Sequence, residues 1–127
     1  MERIRAQRVA VFTEKLDLSE AEAEKFWPVY NEYSRQKEKT NLESRNLTRS
    51  LMLEIDEMDE KEVELSLQKF IDLENKSHKL FLKYNEKFIQ ILPPSKVMKL
   101  YMAENQFKQY LLKQIGDQRR PGTGRNR

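Results

Sequence analysis

The 127-residue chain has no cysteine. That excludes disulfides, thiolate nucleophiles and zinc–thiolate sites, and leaves the redox compartment open. Glycine and proline are scarce, at three and four residues, and no glycine precedes Gly116. Strand hairpins would therefore have few residues from which to make tight turns. Histidine occurs once, as His78. No run approaches the roughly 20 apolar residues of a membrane span. No signal peptide is visible, because Met1-Glu2-Arg3 leads straight into an amphipathic stretch. We read the sequence as a mature chain with an added start methionine, its signal removed.

What is present is charge and heptad spacing. Charged residues make up 35% of the chain and hydrophobic ones 38%, a balance typical of long amphipathic helices. The fold class is all-α. The net charge of +3 belongs to the end of the chain. Arg119, Arg120, Arg125 and Arg127 stand there against Asp117, leaving 20 basic and 20 acidic residues elsewhere. A neutral body lacks the basic face of a nucleic-acid binder. The predicted organisation is one helical domain over residues 1–116 and a disordered basic tail over 117–127.

Four helices follow from pattern and capping. The first spans Glu2 to Leu16, with Ile4, Val9, Phe12 and Leu16 on one face and Val11 beside it. Ser19 and Glu22 have the spacing of a capping box, which opens the second helix. Pro28 predicts a kink within it. A turn near Ile55–Glu60 is followed by a second box, Asp59 with Glu62. Leu92-Pro93-Pro94 ends the third helix and starts the fourth, since Pro94 suits a first helical position. Gly116 is a stop signal.

Two stripes mirror each other. The second helix carries Phe26, Tyr30, Tyr33, Lys37, Thr40, Ser44, Leu47 and Leu51. The third carries Val63, Leu67, Phe70, Glu74, Ser77, Phe81, Tyr84, Phe88 and Ile91. Facing pairs such as Leu51 with Leu67 and Tyr33 with Tyr84 have residue numbers that total 117 or 118. That predicts a long antiparallel helical hairpin, apolar at both ends of its seam and polar in the centre, with Ser44 opposite Glu74 and Thr40 opposite Ser77.

No constellation for catalysis stands out. His78 has only ordinary helical neighbours in Glu74 and Asn75, and the carboxylates are interleaved with Lys and Arg as on a solvated face. The chain is read as a non-enzyme, with no cofactor and no metal site. Met98 with Met102, and Met52 with Met58, could offer thioethers to Cu(I), but methionines in helices are more often core filler. The aromatic run from Phe26 to Tyr33 reads as core, with Trp27 off the stripe and facing a partner or groove. Leu42, Leu53, Leu65, Leu82 and Ile89 also lie off the seams. With Trp27 they form the candidate protein-binding or dimer surface.

The helix starts resemble a family. Leu18, Ser19 and Glu22, and later Leu92, Pro93 and Pro94, resemble the paired boxes of the periplasmic LTxxQ-motif family. These are the Spy/CpxP-like envelope-stress chaperones and their heavy-metal-resistance relatives. The second box departs from the pattern: Pro93 and Lys96 stand at the Thr and Gln positions. The neutral body also differs from the basic concave face of that family's chaperones. The resemblance implies a thin all-helical homodimer that binds unfolded or apolar protein segments without ATP. It equally admits an accessory to one dedicated partner, such as a membrane sensor or anti-sigma system, or a metal-sensing accessory.

Overall fold

The computed structural model describes residues 2–118, and these form four α-helices in which no strand occurs. They are α1 (Glu2–Leu16), α2 (Glu20–Glu54), α3 (Glu60–Ile91) and α4 (Pro94–Gln118), with a short 3-10 turn at Ile55–Glu57. The expectation of a disordered tail falls, from residue 119 on, outside the described residues. The helices make two compact units. One comprises the residues up to Glu22 together with those from Leu92 on; the other is Ala23–Ile91.

In the first unit α1 and α4 run antiparallel. Phe12 and Leu16 are buried with Leu92, Val97, Leu100, Ala103 and Phe107. The Arg8 guanidinium lies 5.8 Å from the Phe107 ring centroid. Val9 does not join this face, being 40% exposed. Its step of five from Ile4 turns it about 140° around the helix, whereas Gln7, Arg8 and Val11 are half-buried at steps of three and four. α1 stops at Asp17, whose φ of 50° is left-handed and whose N–H reaches the Thr13 carbonyl at 3.1 Å. α4 starts at Pro94, where the missing N–H costs nothing; the amides of Lys96 and Val97 both bond the Pro93 carbonyl. Gly116 does not stop α4, which continues to Gln118. A Cβ there would meet nothing within 4 Å, so neither sterics nor the helix asks for glycine.

The second unit is the hairpin. α2 runs unbroken through Pro28. The Asp59 box closes as the spacing requires. Asp59 N–H donates to Glu62 Oε1 at 2.9 Å, and Glu62 N–H donates to Asp59 Oδ1 at 2.8 Å. The antiparallel pairing of α2 with α3 is marked by contacts between Tyr33 and Tyr84, Phe26 and Phe88, Glu32 and Lys87, and Glu43 and Lys76.

Every residue of the α2 stripe is buried or half-buried. The α3 stripe is right at every seventh position except Phe70, which is exposed, but shifted between them. Ser66, Leu73 and Leu80 are the half-buried residues, and Leu67, Glu74 and Phe81 face solvent. A heptad seam steps by three and four, and either order satisfies the spacing. This helix takes three first until Tyr84, then four to Phe88. The expected polar centre is corrected accordingly. Thr40 is buried and Ser77 half-buried, but Leu73 takes the place of Glu74. The seam is also not apolar-sealed at its far end, where Leu67 is 58% and Phe70 39% exposed.

Candidate protein-binding surface

The two helix-start boxes come together in one local cluster. Ser19 N–H donates to Glu22 Oε1 at 2.9 Å, and Glu22 N–H donates to Ser19 Oγ at 3.1 Å. The Lys96 ammonium, from the first turn of α4, reaches Glu22 Oε1 at 2.7 Å and the Asp17 carbonyl oxygen at 2.8 Å. Lys96 bonds, the Ser19 amide and the Lys96 charge hold the Glu22 carboxyl below the usual carboxylate range, against the opposing effect of burial. Leu92 is buried and Leu18 half-buried. Lys96 is the residue that departs from the family pattern, and it is the one that joins the boxes. Its position four residues after Leu92, as Glu22 stands four after Leu18, was the available signal. The arrangement joins the end of α1, the start of α2 and the start of α4 through mutually bonded groups.

The residues expected to form a binding surface divide by position. Trp27 is half-buried, its ring edge-on to Phe26 at 4.9 Å and to Tyr30 at 5.9 Å, so it extends the aromatic core. Leu42 and Leu53 are exposed and lie on the side of α2 about 165–175° from the seam, and Leu65 lies about 110° from the α3 seam on the opposite side from Leu82. Leu42 and Leu65 stand singly among polar residues as ordinary surface, whereas Leu53 has the exposed Met52 and Ile55 beside it near the turn. Leu82 and Ile89 differ because they have company. Leu67, Phe70, Ile71 and Phe81 share their side of α3, within an arc of about 120° that starts at the seam residue Phe70, and all six are between 37% and 58% exposed. The order of steps in the seam is what put Leu67 and Phe81 outside. Sequence reasoning had assigned them to the interior and so missed this stripe.

His78 and Glu74 sit within the same flank, both exposed, with the His78 imidazole 6.3 Å from the Phe81 ring centroid. Met52, Met98 and Met102 are exposed rather than core filler. Among the described residues no three His, Asp or Glu side chains converge as a metal ion requires. A shallow, open, largely apolar groove of about 360 Å³ lies between α1 and α4, with Val11, Phe107 and Tyr110 along it and Lys15 at its rim. Among the described residues no helix is long and apolar enough to cross a membrane. The chain matches no family model, no curated protein and no solved structure.

Proposed function

We propose that the chain is a protein-binding module, not an enzyme. It holds apolar segments of other polypeptides without ATP, in the manner of the Spy/CpxP-like chaperones of the periplasm. The observation that supports this reading is the apolar side of α3, where six large hydrophobic side chains stay in solvent within an arc of about 120°. Clustered exposed apolar residues mark association surfaces, whereas scattered ones do not. Charged residues around the stripe would keep a bound client solvated and so limit co-aggregation. The two helix-start boxes, joined through Lys96, support the family part of the reading.

A second reading has its own support. The stripe keeps heptad spacing from Leu67 to Asn85, which suits one helical partner better than many irregular clients. A membrane sensor or anti-sigma component would be such a partner. One experiment separates the two. The purified chain is added in excess to several unfolded substrates, and light scattering follows their aggregation. The holding reading expects slowed aggregation with every substrate, and loss of the effect in Ile71→Ser/Phe81→Ser, with unchanged helical circular dichroism showing that the fold is kept. No effect on any substrate would remove it. Capture of one saturating partner, abolished by the same pair, would establish the second. The envelope location is tested by fractionating cells that express the full-length gene product.

A further inference from the structure

The groove between α1 and α4 lies wholly within the first unit. Its floor is the buried Phe107 with the half-buried Val11. The Tyr110 ring stands beside Phe107, with centroids 6.2 Å apart and planes 27° from parallel. The Tyr110 hydroxyl accepts the Gln114 amide at 2.9 Å, one turn on. The polar end of that side chain is thus held along α4, and its ring is left as wall. Ala10 supplies only a methyl to the opposite wall, so the space stays open. A volume of about 360 Å³ is within the range of small-molecule sites. Along α1, the lining from Gln7 to Lys15 spans about 12 Å.

Charge decides what such a trough can take. One lining residue is a cation, Lys15, and none of the described lining residues is acidic. A second cation enters by register. The Arg8 guanidinium lies over the Phe107 ring. In an antiparallel pair Lys15, seven residues on from Arg8, is then level with Lys99 and Leu100, seven or eight residues back from Phe107. Lys99 also stands one heptad before Gln106, which lines the groove, and so shares its side of α4. Lys15 and Lys99 are both exposed. An apolar trough with two ammonium groups at one end complements an apolar chain that carries a single anionic head. We infer that the α1–α4 groove binds a free, single-chain carboxylate of the fatty-acid class, its head at Lys15 and Lys99 and its tail along Val11, Phe107 and Tyr110. A peptide in the same place would turn backbone amides towards Val11 and Phe107, whereas an acyl chain has no polar group there to satisfy. The groove and the α3 flank belong to different units, and neither reading depends on the other.

Decanoate, kept below its micelle-forming range, is the probe. Titrated into the isotope-labelled full chain, it should move the amide resonances of residues 7–15 and 99–113 along saturable curves. The Kd should be on the order of 0.1–1 mM, since an open groove leaves one side of the ligand in water. Decylammonium has the same tail and the opposite charge, and should bind about fivefold more weakly or worse. Lys15→Glu should remove that preference. Ala10→Trp fills the groove from an exposed position and should abolish the saturable shifts, with unchanged helical circular dichroism showing that the fold is kept. Shifts that do not saturate, shifts that fall on residues 67–89 instead, or equal binding of the two heads would each overturn the inference. So would binding to phosphatidylglycerol vesicles with no binding of monomeric decanoate, which would assign the groove to a lipid surface. The titration of the parent chain decides without either variant. The two sites also separate cleanly: decanoate binding should survive Ile71→Ser/Phe81→Ser, and any effect on aggregation should survive Ala10→Trp.

Discussion

The two halves of the hairpin use the same helices and the same heptad spacing, yet only one has a core. At the base, Phe26, Tyr30, Tyr33, Tyr84 and Phe88 are all buried, with ring centroids of Tyr33 and Tyr84 5.2 Å apart and of Phe26 and Phe88 5.6 Å apart. Beyond Thr40, towards the turn, no described residue of α2 is buried, and none of α3 is until Tyr84. The difference is side-chain volume. Aromatic rings span the gap between two helices and shield one another, whereas Ser44, Leu47, Ser66 and Ser77 leave solvent access from both sides. Two helices alone can seal only a narrow seam, and only where that seam is bulky. The base is therefore a folding anchor, and the arm beyond it leaves its apolar side chains in solvent.

The sharpest way to break this contrast is to remove one ring from each half. Phe88→Ala empties a fully buried site and should cost about 3–5 kcal/mol in urea unfolding, whereas Phe70→Ala should cost about 1 kcal/mol or less. Equal losses would mean that the arm is a core after all. Native-state hydrogen exchange should agree, with amides of residues 42–51 and 63–80 opening at lower free energy than those of 84–91.

The polar edge of the base gives a smaller and pH-dependent effect. The Tyr84 hydroxyl donates to Glu32 Oε1 at 2.6 Å. That bond, ahead of the ammonium groups of Lys87 and Lys83 and the Arg35 guanidinium, holds the Glu32 carboxyl below its ordinary 4.5, with burial opposing. Burial first, and then Glu32, push the Tyr84 hydroxyl from 10.0 up to about 12. A depressed carboxyl contributes stability above its ordinary range, which is lost as pH falls through 4.5 and below. A raised phenol contributes below 10.0, and loses it as pH rises from there through about 12. Tyr84→Phe should therefore cost about 1 kcal/mol near neutrality. Its stability profile should also be flatter than that of the parent at both the acid and the alkaline end. A parallel pair of profiles would assign the loss to packing alone.

The smallest effect belongs to the arm. Lys76 and Glu43 are each about half exposed at 3.2 Å. Lys76→Ala should change stability by about 0.5 kcal/mol or less, and added salt should erase even that. A larger, salt-resistant loss would show that the arm holds itself together by charge where it lacks volume.

The helix map was legible because its signals are local. Ser19 with Glu22, Asp59 with Glu62, and Pro94 each satisfy or remove backbone donors within one turn, and the boundaries fall where they stand. The α2 stripe was legible because its strongest residues, Phe26, Tyr30 and Tyr33, admit one phase only. The α3 seam was not, because both step orders pass through Val63, Phe70, Ser77, Tyr84 and Ile91. The more apolar candidates, Leu67 and Phe81, were the attractive choice, yet Ser66 and Leu80 are the half-buried residues instead. Hydrophobicity ranks residues for burial, but the facing helix decides the order. The exposed apolar flank was hidden by the same ambiguity, since a side chain assigned to the interior cannot also be counted on the surface. Lys96 was hidden for another reason. Its partners, Glu22 and the Asp17 carbonyl, lie more than 70 residues away.

The Lys96 contact to residue 17 runs to a main-chain oxygen, so it does not depend on which amino acid occupies that position. The left-handed backbone there suits glycine or asparagine at least as well as aspartate. Position 17 can therefore drift among these residues while the junction keeps its geometry. Relatives of this chain should be aligned on the lysine and the capping glutamate rather than on the residue between the helices.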